Sequence, residues 1–359
     1  MKTVPLLLLA LRTPERLAGL SLAEWDLLLR QAASANLSAT LLTILEERAL
    51  LGHIPAQARE HFEWVRTLAA RHSQAVRFEV ARIGEALDGL GLPLLLLKGA
   101  AYAIAGLPPA GGRLFSDIDI MVPKDRLGEV EAALMMNGWA ASHHDDYDQR
   151  YYRQWMHELP PLQHIRRQSL IDVHHAILPE TAPVRPDPGK LRAAAQAVEG
   201  EDGVQVLAPA DLVLHSAVHL FYGEFDKGLR DLVDLHRLLL HFGSRPGFWE
   251  LLPRRAAELE LARPLFYALR QARALLGTPV PGSVLEACGP GRPNPALLAL
   301  MDALLSRALL PGHASCGDRF TGAARFMLYV RANWLRMPPL LLARHLFHKA
   351  FMSPKAEAA

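Results

Sequence analysis

In the stretch Ser116-Asp117-Ile118-Asp119-Ile120-Met121-Val122, Ile118, Ile120 and Val122 alternate with Asp117, Asp119 and Met121. A period of two is the pattern of a β-strand with one buried face. Side chains at i and i+2 share a face, so Asp117 and Asp119 project together, about 6–7 Å apart along the backbone. Two carboxylates held that close repel each other unless a cation lies between them. Their hard oxygens suit Mg²⁺ or Mn²⁺. A bare D-x-D also fits a solvated edge strand, so the neighbouring sequence has to decide.

Upstream, Leu94-Leu95-Leu96-Leu97 is a short apolar run bounded by Pro93 and Gly99. With Lys98-Gly99-Ala100-Ala101-Tyr102 it reads as a strand, a Lys-Gly turn and a helix start. A glycine at that junction lets backbone amides approach a phosphate, and Lys98 adds a positive charge beside it. Gly111-Gly112-Arg113 follows, and its arginine can fork onto phosphate oxygens. Downstream, Asp125 to Asn137 is an amphipathic helix closed by Gly138, and 147–157, 162–166 and 170–174 read as further short strands. Asp172, between Ile171 and Val173, is a third carboxylate, and His174 faces the same way two residues on. Three carboxylates, a Lys-Gly turn and an arginine are the groups a two-metal phosphoryl-transfer site needs.

The fold class expected from this order is α+β: a small mixed sheet at 92–178, a helical N-terminal region at 1–91 and a large helical C-terminal domain at 209–352. Residues 179–208, rich in proline, read as a linker and 353–359 as a tail. Ser21 and Glu24 have capping-box spacing, and a long helical pattern from about 56 to 90 stops at Gly91-Leu92-Pro93. The apolar run Val4 to Leu11 is followed at once by Arg12, Glu15 and Arg16, so it reads as a first helix and not as a signal peptide. No run reaches the roughly eighteen apolar residues of a membrane span.

The chain has 359 residues, 50% hydrophobic and 21% charged, which excludes a disordered tail, a collagen-like chain and a disulfide scaffold. Lys+Arg 39 against Asp+Glu 37 leaves +2, so charge gives no global case for nucleic acid as a partner. Cys288 and Cys316, far apart in sequence, read as free thiols of a cytoplasmic protein. His215 and His219, four apart on a predicted helix, read as a pair that orients a substrate; they lack the H-E-x-x-H pattern of a zinc site. Arg230, Asp231 and Asp234 recur on one helix, where they either reach the active cleft or form a salt-linked surface. His143-His144-Asp145-Asp146 reads as a polar loop and Met135-Met136 as core. Arg319, Arg325, Arg331, Arg336, Arg344 and Lys349 lie among Phe326, Trp334, Leu335 and Phe347. They read as amphipathic helices packed on the helical domain, with a basic surface for an anionic acceptor or a membrane as the alternative.

The set K-G-A-A-Y-A from Lys98, G-x-R-x-x-S-D-I-D-I-M-V from Gly111, a helix ending N-G-W at Trp139, and I-D-V-H-H from Ile171 resembles the uncharacterised nucleotidyltransferase family of the DNA polymerase β-like superfamily. The segment Trp25 to Leu45, the helix Gly228 to Leu235 and the stretch Tyr329 to His348 are similar to the family's flanking regions. The resemblance implies transfer of a nucleoside monophosphate from an NTP, ATP being the expected donor, to an acceptor hydroxyl, with pyrophosphate released. It implies that Asp117, Asp119 and Asp172 hold Mg²⁺ or Mn²⁺, with Asp172 able to act as base. Lys98, Gly99, Ala100, Arg113 and Ser116 would bind the nucleotide, while His174, Arg230, Asp231 and Asp234 would support the metal site or meet the substrate. The acceptor class implied is a small molecule, a peptide or a protein side chain. Ala100 departs from the superfamily's second Gly or Ser, and 101–116 is longer than usual. A rival reading is a catalytically idle relative that binds nucleotide or a partner protein; the three crowded carboxylates argue against it. A weaker one is a toxin-like nucleotidylating enzyme.

Overall fold

The computed structural model describes residues 4–141, 152–153, 155–338 and 342. The chain opens with α1 (Leu6–Arg12), whose Leu7, Leu8, Ala10 and Leu11 are buried, so the first apolar run belongs to the fold. Arg12 donates from Nε to the Leu275 carbonyl at 2.5 Å and ties this end to the C-terminal helices. Helix α2 (Leu22–Ser34) starts at the expected capping box: Ser21 N–H donates to Glu24 Oε2 at 2.8 Å, and Ser21 Oγ accepts from Glu24 N–H. After α3 (Ser38–Glu47) comes α4 (Ala56–Leu87), 32 residues or about 48 Å long. It buries Phe62, Val65, Val76, Val80 and Ile83 along one stripe, and the chain leaves it through Gly91 at φ 62°, a left-handed stop that glycine takes without strain.

The sheet is seven-stranded and mixed, in the order β3-β4-β5-β2-β1-β7-β6. Its strands are β1 (Leu94–Leu96), β2 (Asp117–Met121), β3 (Trp139–Ala141), β4 (Leu162–His164), β5 (Leu170–His174), β6 (Gln196–Ala197) and β7 (Val204–Val206). Helices α5 (Lys98–Ile104) and α6 (Leu127–Met136) lie between strands and pack against α4. The central strand β2 runs antiparallel to β1 and parallel to β5. The α+β class and the mixed sheet agree with the sequence pattern.

Three readings change. The stretch 179–208 is more than a connection, because β7 pairs in parallel with β1 through Leu94↔Val204 to Leu96↔Val206 and β6 extends the sheet. A three-residue Val-Gln-Val run after a turn with Gly200 and Gly203 is too short to signal a strand without its partner. The strand expected at 147–157 is helical at Tyr152, Arg153 and Trp155, where Met156 N–H returns to the Tyr152 carbonyl; the rest of that segment up to 151, and residues 143–146, lie outside the described residues. Met135 and Met136 are not core: they are 54% and 83% exposed at the C-terminal end of α6.

From Pro209 the chain is helical: after α7 (Pro188–Ala193) come α8 (Pro209–Tyr222), α9 (Gly228–Gly243), α10 (Phe248–Glu258), α11 (Ala262–Leu276), α12 (Gly282–Ala287), α13 (Pro295–Ala308) and α14 (Thr321–Arg336). Helix α8 is the hub: it is buried nearly all round and packs on α9, α10, α11 and α14. The buried apolar residues form a contiguous cluster running from Leu7 to Leu328, so sheet and helices share one core. Cys288 and Cys316 are buried free thiols. No helix among the described residues is long and apolar enough to cross a membrane.

Candidate active site

The wall formed by the sheet follows from register. Strands β2 and β5 are parallel with Asp119 opposite Asp172 and Ile118 opposite Ile171. Ile118, Ile120, Ile171 and Val173 sink into the core, which turns Asp117, Asp119, Asp172 and His174 to the other face together. Asp119, 3% exposed, accepts at Oδ1 from Lys98 Nζ at 2.7 Å and pairs there with His174 Nε2 at 2.8 Å. The other ring nitrogen of His174, Nδ1, lies 3.1 Å from Glu158 Oε2. Lys98 reaches Asp119 from a left-handed backbone, φ 46°, at the first residue of α5, an unusual conformation for a non-glycine residue that aims its side chain back over β2.

The electrostatics of this wall show a surplus of negative charge. Burial alone would raise the Asp119 carboxyl, but Lys98 and His174 outweigh it and hold it far below the usual range. Burial would likewise lower Lys98 and His174; Asp119 and Glu158 outweigh it, and both are raised. Asp172 is the group pushed the other way. Burial, Asp119 and Glu158 push it up to about 7, with His174 opposing. Asp119, Asp172 and His174 bring one ligand atom each within 4.8 Å of one another. Asp117 stands at the mouth of this group with the Ser116 hydroxyl donating to it at 3.2 Å.

The facing wall is α9 and the turn before it. Arg113 is 7% exposed, forms a close ion pair with Asp234, and has Nη1 3.7 Å from Asp231. Its Nε meets no hydrogen-bond partner. The turn Gly111-Gly112 that delivers it is pressed onto α3: Gly112 has φ 76°, and a Cβ there would meet the Ala39 backbone at 2.2 Å. Arg230 donates from Nε and Nη2 to Asp231 Oδ1 at 3.1 and 2.8 Å. Arg230, Asp231 and Asp234 therefore face inward and are not a solvated salt-linked surface.

Between the walls lies a cavity of about 270 Å³, lined by Lys98, Gly99, Arg113, Phe115, Ser116, Asp117 and Asp119 on one side and by His219, residues 223–227, Arg230 and Asp231 on the other. Asp172 and His174 lie behind Asp119. Gly99 lines the cavity, and a Cβ there would strike the Phe115 ring at 2.6 Å. Ala100 is 0% exposed inside α5 and is not part of the lining, which is a correction to its expected place against a phosphate. Arg113 is corrected in part: it borders the cavity, but its charge is answered by Asp234 and Asp231. Of the histidine pair on α8, His219 opens onto the cavity 3.5 Å from Asp231, while His215 is buried, and burial with Lys98 beside it holds its ring neutral.

Two groups had no readable signal. Glu158 follows the segment read as a strand and reaches the site only through a bridge to His174. The turn at 223–227 enters the cavity because Arg331 of α14 donates to the Phe221 carbonyl at 2.7 Å and Arg336 pairs with Glu224 at 2.7 Å.

No curated protein and no solved structure matches the chain significantly. A family described as uncharacterised nucleotidyltransferase matches residues 21–277, which takes in both walls of the cavity. The chain belongs to that nucleotidyltransferase family.

Proposed function

We propose that the chain is a divalent-metal-dependent nucleotidyltransferase that moves a nucleoside monophosphate from an NTP, with ATP the expected donor, to an acceptor hydroxyl on a small molecule or a peptide. The observation that carries this reading is the in-register pairing of Asp119 with Asp172, two residues from Asp117, beside a cavity. The donor set fits a hard cation: carboxylate oxygens converge, and Asp172 is pushed up to about 7 by its burial and its acidic neighbours, a cost that a divalent ion would relieve. Asp117, Asp119 and Asp172 would hold Mg²⁺ or Mn²⁺, which when bound supplies neutralising charge for the phosphate chain.

The chain's own residues supply the rest. Lys98 and the Glu158–His174 pair fix Asp119 Oδ1 and leave Oδ2 for a ligand. Gly99 and Ser116 border the phosphates at the floor of the cavity. Asp172 takes the proton of the acceptor hydroxyl as its oxygen bonds to the α-phosphorus, and the bridging P–O bond breaks so that pyrophosphate leaves with the electron pair. The buried walls hold these groups without reorganisation, which is where electrostatic catalysis draws its effect.

The test is a calorimetric titration of each NTP into the full chain with Mg²⁺ and then with EDTA. Metal-dependent binding of an NTP, lost in Asp117→Asn, supports the reading. Metal-independent binding, or none, moves the weight to a nucleotide-binding or partner-binding relative without transfer activity.

A further inference from the structure

We propose that the N-terminal end of α9, with Arg230 and Lys227, is the seat of the donor's polyphosphate chain, on the wall opposite the carboxylates. This rests on the nucleotidyltransferase reading above and names where that site separates a triphosphate from a monophosphate.

An unmet donor and an unpaired lysine at the start of one helix carry this assignment. Of the cations that border the cavity, Lys98 is committed to Asp119 at 2.7 Å, and Arg113, whose Nε is also unmet, lies between Asp234 and Asp231. Arg230 is the third residue of α9. It is 5% exposed, spends Nε and Nη2 on Asp231, and its Nη1 is buried with no hydrogen-bond partner among the described residues. A buried guanidinium edge without an acceptor is costly unless a ligand completes it. Arg230 lines the cavity that Asp117 also lines. Lys227, one residue before α9, is exposed, lines the same cavity and forms no ion pair among the described residues.

Helix α9 adds its own field. It is 16 residues long, and no side chain caps its N-terminus. The first-turn amides and the positive end of the helix dipole favour an anion there. By contrast α5, the helix after the Lys-Gly turn, has 7 residues, and its Ala100 is sealed in the core. The proposed seat therefore adds the facing wall to the strand–turn–helix side, where Gly99 and Ser116 border the same cavity. Arg331 and Arg336 of α14 anchor the turn at 223–227, so the seat is fixed by the same core as the sheet. A ligand with one phosphate at the carboxylates leaves this seat unfilled, whereas a polyphosphate chain spans from one wall to the other.

The experiment titrates Mg²⁺ with ATP, with AMP and with inorganic tripolyphosphate into the full chain, its Lys227→Gln and Arg230→Lys variants, and Asp117→Asn. Arg230→Lys keeps the charge but loses the fork, and Lys227 is exposed, so melting curves matching the parent identify folded variants. The expected result is that ATP and tripolyphosphate weaken by roughly tenfold or more in each variant while AMP does not change. Equal weakening of ATP and AMP, or unchanged ATP affinity in both variants, overturns the seat. If ATP binding then still needs metal and Asp117, the nucleotidyltransferase reading stands without it. If the parent binds tripolyphosphate through Arg230 and Lys227 but no NTP, the anion seat stands and the donor assignment fails. If the parent binds neither, both fail.

Discussion

The two walls of the cavity use the same chemistry to opposite ends. On the sheet, Asp117, Asp119, Asp172 and Glu158 face one lysine and one histidine, and Asp172 is pushed up to about 7. On α9, Asp231 and Asp234 face Arg113 and Arg230, and it is an arginine edge that is left over. A buried carboxylate is thus structural where an arginine saturates it and available for chemistry where charge is in excess. On the proposed reading the two walls divide the work: the sheet holds the cation and the start of α9 meets the donor's phosphates.

The sharpest way to break this comparison is to remove charge from the sheet wall. Asp117→Asn should lower nucleotidyl transfer by about 10³-fold, measured as pyrophosphate release, with a melting temperature near that of the parent, because Asp117 is partly exposed and its hydrogen bond is to Ser116. An unchanged rate would show that the carboxylate surplus has no catalytic use. On the opposite wall the same kind of change should cost stability first. Arg113→Met leaves Asp231 and Asp234 short of a partner, and denaturant unfolding should show a loss of about 3–5 kcal/mol.

The pH dependence separates the walls by sign. The Asp172 carboxyl is raised in the folded protein, so its contribution is fully present below the ordinary carboxylate value and is lost as pH rises through about 7. Asp231 is held low, because His219, Arg230 and Arg113 outweigh its burial, and its contribution is present at neutral pH and lost in acid. In metal-free buffer, Asp172→Asn should therefore remove a loss of stability between pH 4 and 7, on the order of a few kcal/mol, seen in unfolding midpoints. Adding Mg²⁺ at pH 7 should raise the parent's midpoint and leave that of the variant where it was. The smallest effect belongs to Ser116→Ala, which removes one hydroxyl from Asp117: transfer should fall by about fivefold, and a drop as large as that of Asp117→Asn would make Ser116 a ligand-binding group in its own right.

Much of this was legible because it is local. The alternation around Ile118 and Ile120 specified β2 and the common face of Asp117 and Asp119; Ile171 and Val173 did the same for Asp172 and His174. The Ser21–Glu24 box and Gly91 marked helix ends through backbone groups that only nearby residues can satisfy. What was not legible depends on distant partners. Val204–Val206 is a strand because β1 offers it a ladder, and 147–157 read as a strand since its alternation carries no record of what it packs on.

By itself, then, the amino-acid sequence determined the α+β class, the strand that presents the carboxylates and the family motifs, all of which rest on side-chain period and on short-range backbone chemistry. The tertiary structure alone decided which charges are spent. Arg113 and Arg230 are both arginines near acids in the sequence; packing α9 against the Gly111-Gly112 turn seats the first between Asp231 and Asp234 and pairs the second with Asp231, both beside the cavity. Period and propensity act within a few residues, whereas a buried charge is satisfied by whatever the core brings within about 4 Å, and that is a property of the folded chain.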